Sequence, residues 1–415
     1  MTTAPVSLRA ARALALHTQA LDTAPGAEPP PTRDTLCALA ERLGCIQIDT
    51  LQVVHRSQYL VPWSRLGRYN PADLDALAFD PADRRLFEYW KKAASLIPLT
   101  HYRYSLPQMR AFREQPQSRW RAWIEREMTR EVLAHVRERL AAEGPLRASD
   151  FDDDGPRRQA WWDWKPAKAA LEHLYNTGDA MIADRVNFQR VYDLRERVLP
   201  DWVDTTEPTV DEARRFRLEQ AARALGISTP AQVGDYAYFL RGTARPYINA
   251  LLREGVLVPV EAEMVSGPPV TMVVHRDNLG LLERARDGAL TPSRTTFLSP
   301  FDSLLWAGER DEQLWGFNQV LECYKREPDR IWGYFCLPIL HRDRLVGRFD
   351  PSLDRKRSLL RIKALHLEPG VEPDDALVTD TAAALRDFLA FHNAHTVEIA
   401  DKGHAEFRRR LLARL

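Results

Sequence analysis

Cysteine is scarce in this chain: four residues among 415, at Cys37, Cys45, Cys323 and Cys336, with no two spaced as C-x-x-C and no histidine at finger spacing. That pattern argues against structural zinc and fits a reduced cytosolic protein. Lysine is nearly as rare, at positions 91, 92, 165, 168, 325, 356, 363 and 402 only, so the positive charge is carried almost wholly by arginine. Arginine is the side chain best shaped for bidentate phosphate contacts. An excess of either charge is also missing. Lys plus Arg equals Asp plus Glu at 58 each, for a formal net charge of zero, so the global field selects no partner and any nucleic-acid role must rest on local basic faces. No long Gly, Ser or Gln tract occurs, and no apolar run is long enough to span a bilayer. Ala13-Leu14-Ala15-Leu16 follows Arg9 and Arg12, but His17 and Gln19 end the run too early for a signal peptide. At 45% hydrophobic residues, a chain of this length builds several cores, about three or four units.

What is present centres on Leu43-Gly44-Cys45-Ile46-Gln47-Ile48-Asp49-Thr50-Leu51, a short apolar run interrupted by Gln47 and Asp49. If extended, it alternates faces, with Gln47 and Asp49 on one side and Ile46 and Ile48 anchoring the other. A carboxylate beside an amide can orient a water and stabilise positive charge developing in front of it. The ordinary reason for such residues is solvent exposure on a half-buried strand, and periodicity alone favours that reason.

Taken in order, Ser7 to Leu21 has helical spacing with Ser7 as N-cap, a Pro-rich break covers Pro25 to Pro31, and a second helix runs from about Thr32 to Leu43. The Gln47/Asp49 strand and a basic loop through Pro62-Trp63-Ser64-Arg65 then suggest a winged helix-turn-helix. The plan returns with a helix Thr129 to Ala142, a helix Lys165 to Thr177 closed by Gly178, and strands Ala180 to Arg185 and Phe188 to Leu194. It returns again with helices Val210 to Leu225, Thr229 to Phe239 and Arg245 to Glu254, then a strand Val256 to Glu261. From about Pro269 the texture is β-branched and aromatic, predicting strands at Val270 to His275, Trp315 to Tyr324, Arg330 to Leu340, Arg344 to Phe349 and Leu359 to Leu367, as in a small barrel or strongly bent sheet. A helix from about Asp380 to His392 and a basic end close the chain. The expected fold is α+β: tandem winged helix-turn-helix domains followed by a C-terminal β-barrel-like domain. The expected division is 1–125, 126–205 and 206–265 for three winged helices, 266–375 for the barrel-like domain and 376–415 for a helical end.

The chain resembles the YcaQ family of bacterial DNA glycosylases, relatives of the AlkZ group. The resemblance rests on Gln47-Ile48-Asp49-Thr50 with Arg56 and Ser57, Trp63 before Ser64-Arg65-Leu66-Gly67, Trp161-Trp162-Asp163-Trp164-Lys165-Pro166, and Asn187 to Leu194. Leu298-Ser299-Pro300-Phe301-Asp302, Tyr334 to His341 and Leu345-Val346-Gly347-Arg348 complete it. It implies hydrolysis of the N-glycosidic bond of N7-alkylated purines, including unhooking of interstrand crosslinks, with a glutamine-apolar-aspartate motif as the catalytic element, here Gln47 and Asp49. Aspartate in the last place resembles the YcaQ branch. One departure is Trp90-Lys91-Lys92-Ala93, where the family tends to read tryptophan, any residue, histidine, glutamate.

Further expectations stand beside that resemblance. Candidate phosphate contacts are Arg56, Arg65, Lys165, Lys168, Arg185 and Arg190, with a structural salt bridge as the alternative for Arg56 and Arg65. Trp161, Trp162 and Trp164 more commonly build core than stack on bases. Asp302 with Arg310 reads as a fold-holding pair, and Cys323 and Cys336 as small apolar fillers on strands. Lys91 or Lys92 attacking the sugar as in a lyase is a minor hypothesis. No metal and no cofactor is expected. The expected partner is double-stranded DNA carrying alkylated purines or interstrand crosslinks, bound by a monomer in the cytoplasm at the nucleoid, with no membrane. The competing class is a tandem winged-helix transcription regulator that does no chemistry.

Overall fold

The computed structural model describes residues 4–24, 30–114, 130–151 and 166–415. Helix boundaries fall where their capping residues place them. The Ser7 hydroxyl accepts from the Ala10 N–H at the start of Leu8–Thr18, and the Thr32 hydroxyl accepts from the Thr35 N–H at the start of Arg33–Leu43. Gly44 ends the latter helix at φ 81°, and a Cβ there would also lie 2.9 Å from Gln220 Cγ, so glycine is required for both backbone and space. Gln220 Nε2 donates to the carbonyls of Glu41 and Arg42 and so satisfies acceptors that the helix end leaves open.

Three small three-stranded sheets recur on one plan. Each follows a helix: Arg33–Leu43, Arg130–Glu143 or Val210–Leu225. A two-residue strand comes next (Ile46–Gln47, Leu146–Arg147, Ile227–Ser228), then one or two helices, then a two-stranded hairpin. The hairpins are Leu86–Trp90 with Ala94–Pro98, Ala180–Val186 with Gln189–Leu194, and Leu257–Ala262 with Val270–His275. In every case the short strand pairs with the last strand of the hairpin.

Several expectations need correction. The strand read around Gln47 and Asp49 is only Ile46–Gln47, and Asp49 lies beyond it. The basic loop around Pro62 is a helix, Ser57–Leu66, with the proline inside it. It persists because its buried face is tied down: Ser57 Oγ meets Ser299 Oγ at 2.5 Å and Trp63 Nε1 donates to Asp387. Val270–His275 belongs to one of the small sheets, pairing with Leu257–Ala262. Trp315 to Tyr324 holds no strand, and the expected strand Arg330 to Leu340 shrinks to Leu337–His341. The backbone donors there go to carboxylates instead of a neighbouring strand. Asp311 accepts from the Gln319 N–H, and buried Glu322 accepts from the N–H groups of Ile331, Trp332 and Gly333, which holds its pKa near 2. Cys323 accordingly sits in a 3-10 turn, and Cys336 just before a strand.

By contact density the chain forms two compact units. The first comprises 1–73, 90–95 and 217–415, and the second 74–89 and 96–216. The first contains a curled five-stranded half-barrel sheet, in the order Thr295–Phe297, Leu337–His341, Arg344–Asp354, Leu359–Leu367, Thr396–Ile399. All neighbours are antiparallel except the last pair, and register shifts at Ile339/Leu340 and Asp350/Pro351 supply the bending. Helix Asp375–Phe391 lies on this sheet, with Phe388 against Phe297, Phe349 and Trp63 at ring separations of 5.5, 6.2 and 5.0 Å. The second unit is stitched by buried charge. Glu88 accepts from Arg185 and Arg190, while Arg190 also reaches Glu172, which accepts from the Tyr192 hydroxyl.

Candidate active site

The Gln47 to Arg56 segment leaves the short strand and crosses to the N-terminus of helix Ser57–Leu66. Cys45, Ile46 and Ile48 are buried and anchor its entry, where the Ile48 N–H donates to the Ala94 carbonyl at 2.8 Å. Gln47 is buried yet makes no side-chain hydrogen bond to the described residues. Asp49, half-buried, folds back on its own backbone: Oδ1 accepts from the Leu51 N–H at 2.7 Å, and the Asp49 N–H donates to Gln58 Oε1 at 3.3 Å. Oδ2 has no partner among the described residues. Burial raises the Asp49 pKa, and the Leu51 N–H and the charge of Arg56 oppose that rise. The result is an ionisable carboxylate with one oxygen fixed and the other available.

The raised pKa has a consequence for stability. A carboxyl whose folded pKa exceeds its unfolded value destabilises the fold when charged, and the deficit disappears as pH falls through the folded pKa. Asp49→Asn removes the charge while its amide oxygen still accepts from Leu51. At neutral pH this variant is expected to melt about 1–3 °C above the parent, and the difference should shrink at low pH; thermal unfolding at two pH values checks both statements.

Around Asp49 the loop is pinned by the half-barrel. The Leu353 N–H donates to the Val53 carbonyl at 3.2 Å, and Arg355 donates to the Val54 carbonyl. The turn Arg355-Lys356-Arg357 between strands Arg344–Asp354 and Leu359–Leu367 is therefore an exposed basic tip beside this loop. Neighbouring His55 packs against the rings of Tyr59, Phe391 and His392, and burial, with Arg355 and Arg56 adding to it, pushes its pKa down to about 4. It is neutral at physiological pH.

The remaining candidates separate clearly. Arg56 occupies the N-cap position of helix Ser57–Leu66, without a side-chain capping bond, and acts on Asp49 electrostatically. Arg65 is not placed to touch phosphate: its side chain and that of Asp302 have 0% exposure, and the two form a bidentate pair at 2.5 and 2.7 Å. Asp302 thus pairs with Arg65 and not with Arg310, which donates to the carbonyls of Leu225 and Ile227. Arg185 and Arg190 are likewise drawn inward, Arg185 by Glu88 and the Phe188 carbonyl and Arg190 by both Glu88 and Glu172, with side-chain exposures of 12% and 14%. A guanidinium held by two carboxylates has little left for a phosphate. Lys168 is half-buried on helix Pro166–Thr177, and Lys165 lies outside the described residues, as do Trp161, Trp162 and Trp164. Lys92 Nζ donates to the Trp306 carbonyl at 2.8 Å. Half-buried Lys91 has its pKa lowered to about 7 by burial and by Arg217.

Sequence reasoning missed Gln58, whose side-chain oxygen fixes the Asp49 backbone, and the basic tip at 355–357. The former has no signal in a linear reading. The latter did: three consecutive cations between two strand-like runs mark a turn.

A family model described as DNA glycosylase AlkZ-like matches residues 40–391, which contain Gln47, Asp49, helix Asp375–Phe391 and the half-barrel sheet except its last strand, Thr396–Ile399. Among solved structures the chain is similar to the Streptomyces sahachiroi DNA glycosylase AlkZ. The TM-score is 0.63 at 17% identity, over 96% of this chain and 100% of that one, so the likeness is one of fold. The chain belongs to the AlkZ-like DNA glycosylase family, whose members hydrolyse N-glycosidic bonds.

Proposed function

We propose that this glycosylase acts on N7-alkylated, cationic purines in duplex DNA, interstrand crosslinks included, with Asp49 and Gln47 as its catalytic pair. The observation that carries the reading is the Asp49 carboxylate, half-buried, with Oδ1 fixed by Leu51 and Oδ2 without a partner among the described residues. N7 alkylation makes the purine a good leaving group without a general acid. As the C1′–N9 bond breaks, its electron pair passes to N9 and neutralises the purinium. Positive charge then develops on the sugar, where Asp49 stabilises it and draws a proton from the attacking water. The Gln47 side-chain amide, without a hydrogen bond to the described residues, is suited to hold that water. Neutral purines lack the activated leaving group and are expected to be poor substrates. A crosslinked base is tied to the other strand, so obligatory flipping into a tight pocket does not suit it.

The three repeats of helix, short strand, helix and hairpin with one common sheet order support three tandem winged helices, the third running on to His275 and not ending at 265. Arg56 and the tip Arg355 to Arg357 are the phosphate contacts favoured beside Asp49, with Lys165 and Lys168 as further candidates. A monomer is the simplest form for one asymmetric site, and a place at the nucleoid follows from the substrate. Among the described residues no helix is long and apolar enough to cross a membrane. A regulator would have no use for a half-buried carboxylate with an unengaged oxygen.

The test is release of free N7-methylguanine from a methylated duplex by the parent and by Asp49→Ala, with duplex binding of both measured alongside. Release lost while binding survives supports the assignment; equal release by the two proteins refutes it. Because the charged form of Asp49 is the working one and burial raises its pKa, the acid limb of the single-turnover rate should lie above the range of an ordinary aspartate. A rate flat down to pH 4 would contradict that role.

A further inference from the structure

Among the described residues most arginines are held by carboxylates or carbonyls, including three of those first expected to meet DNA. The cations without such partners are therefore informative. Between helices Pro230–Tyr236 and Arg241–Arg253, the turn Tyr238-Phe239-Leu240 presents two large apolar side chains to solvent, Leu240 at 82% and Tyr238 at 59% exposure. Arg241 and Arg245 follow on one face of the next helix, four residues apart; both are exposed, and neither has an ion-pair or hydrogen-bond partner among the described residues. No acidic residue occurs from Tyr236 through Arg253.

The turn is also rigid. Tyr238 holds a left-handed φ of 59°, kept by its N–H on the Asp235 carbonyl and by the Phe239 N–H on the Gly234 carbonyl. Arg217 donates to the Ala237 carbonyl and lies over the Phe239 ring at 4.5 Å. Gly234 lets the two helices approach, since a Cβ there would stand 3.0 Å from that of Ala244. An exposed apolar tip that is fixed in place, next to two unpaired arginines and without a carboxylate along that stretch, suits a groove flanked by phosphates.

We infer that Tyr238, Leu240, Arg241 and Arg245 form a duplex-docking surface, with Arg241 and Arg245 on backbone phosphates and Leu240 and Tyr238 against the groove between them. This rests on duplex DNA being the substrate and adds a contact area that sequence reading did not single out. Charge complementarity selects a polyanion over a protein partner, for which an apolar tip alone would have sufficed.

The experiment is duplex affinity against salt concentration for the parent, for Arg241→Glu/Arg245→Glu and for Leu240→Ala, using an undamaged duplex of about 25 base pairs and the full chain, with thermal unfolding of each variant as a check of folding. Loss of two phosphate contacts should weaken binding about tenfold or more and reduce the slope of log affinity on log salt by about 2. Leu240→Ala should weaken binding with the slope unchanged. A folded double variant with the parent's affinity and slope would overturn the proposal and leave the surface to another partner. Failure of the parent to bind any duplex would overturn both this proposal and the substrate on which it rests; in that case the methylated-duplex assay would also show no base release.

Discussion

Asp49→Asn is expected to lower single-turnover release of N7-methylguanine by about 10²–10⁴-fold while duplex affinity stays within about twofold of the parent. The substitution keeps shape, the Leu51 N–H partner and the hydrogen bond from the Asp49 N–H to Gln58. It removes the negative charge that faces the developing oxocarbenium ion and the basicity that takes the water's proton. Gln47→Ala should cost less, about 10-fold to 10²-fold, because water can be oriented imperfectly by Asp49 alone. If Asp49→Asn retained more than a tenth of the parent rate, the carboxylate would be a turn-forming residue whose Oδ1 merely caps Leu51.

The second large effect concerns stability. Arg65 and Asp302 are wholly buried, and Arg65 also donates to the Gln19 carbonyl and to Ser64 Oγ, while Asp302 accepts from the Leu304 N–H. Removing either partner strands a charge out of water. Arg65→Met and Asp302→Leu are each expected to lose about 3–5 kcal/mol of unfolding free energy, and the double variant Arg65→Met/Asp302→Leu distinctly less than their sum. Urea unfolding of the four proteins gives the cycle. Single losses below about 1 kcal/mol would mean that water reaches the pair on unfolding of a local segment, and that it does not anchor helix Ser57–Leu66.

The Ser7 cap and the glycine that ends the second helix were legible in the sequence, because each is a local event: Ser7 and Gly44 act within a few residues of themselves. The strands Ala180–Val186, Gln189–Leu194 and Leu359–Leu367 also lay close to expectation, since alternation and turn residues bound them. What could not be read were choices between distant partners. Residues 315–336 have the composition of strands, yet Asp311, Glu322 and Asp350 take their backbone donors, and nothing local announces which carboxylate will be buried against which loop. The same holds for the arginines. Arg65, Arg185 and Arg190 were reasonable phosphate ligands by position, and only the fold reveals that Asp302, Glu88 and Glu172 claim them. Gln47 and Asp49 stood out because polar residues in an apolar run are conspicuous. Their geometry did not, because Asp49 lies past the strand end, in a turn of its own making.

The most direct test of the chemistry is a pair of matched duplexes, one with a single N7-methylguanine and one with hypoxanthine, a neutral purine, at the same position. Single-turnover base release is followed with enzyme in excess at pH 7.5. The expected result is rapid release of the cationic base and, over the same time, none of the neutral one, since no group in the site is assigned to protonate a departing purine. Comparable release of hypoxanthine would contradict the account, for it would require a general acid that Gln47 and charged Asp49 do not supply.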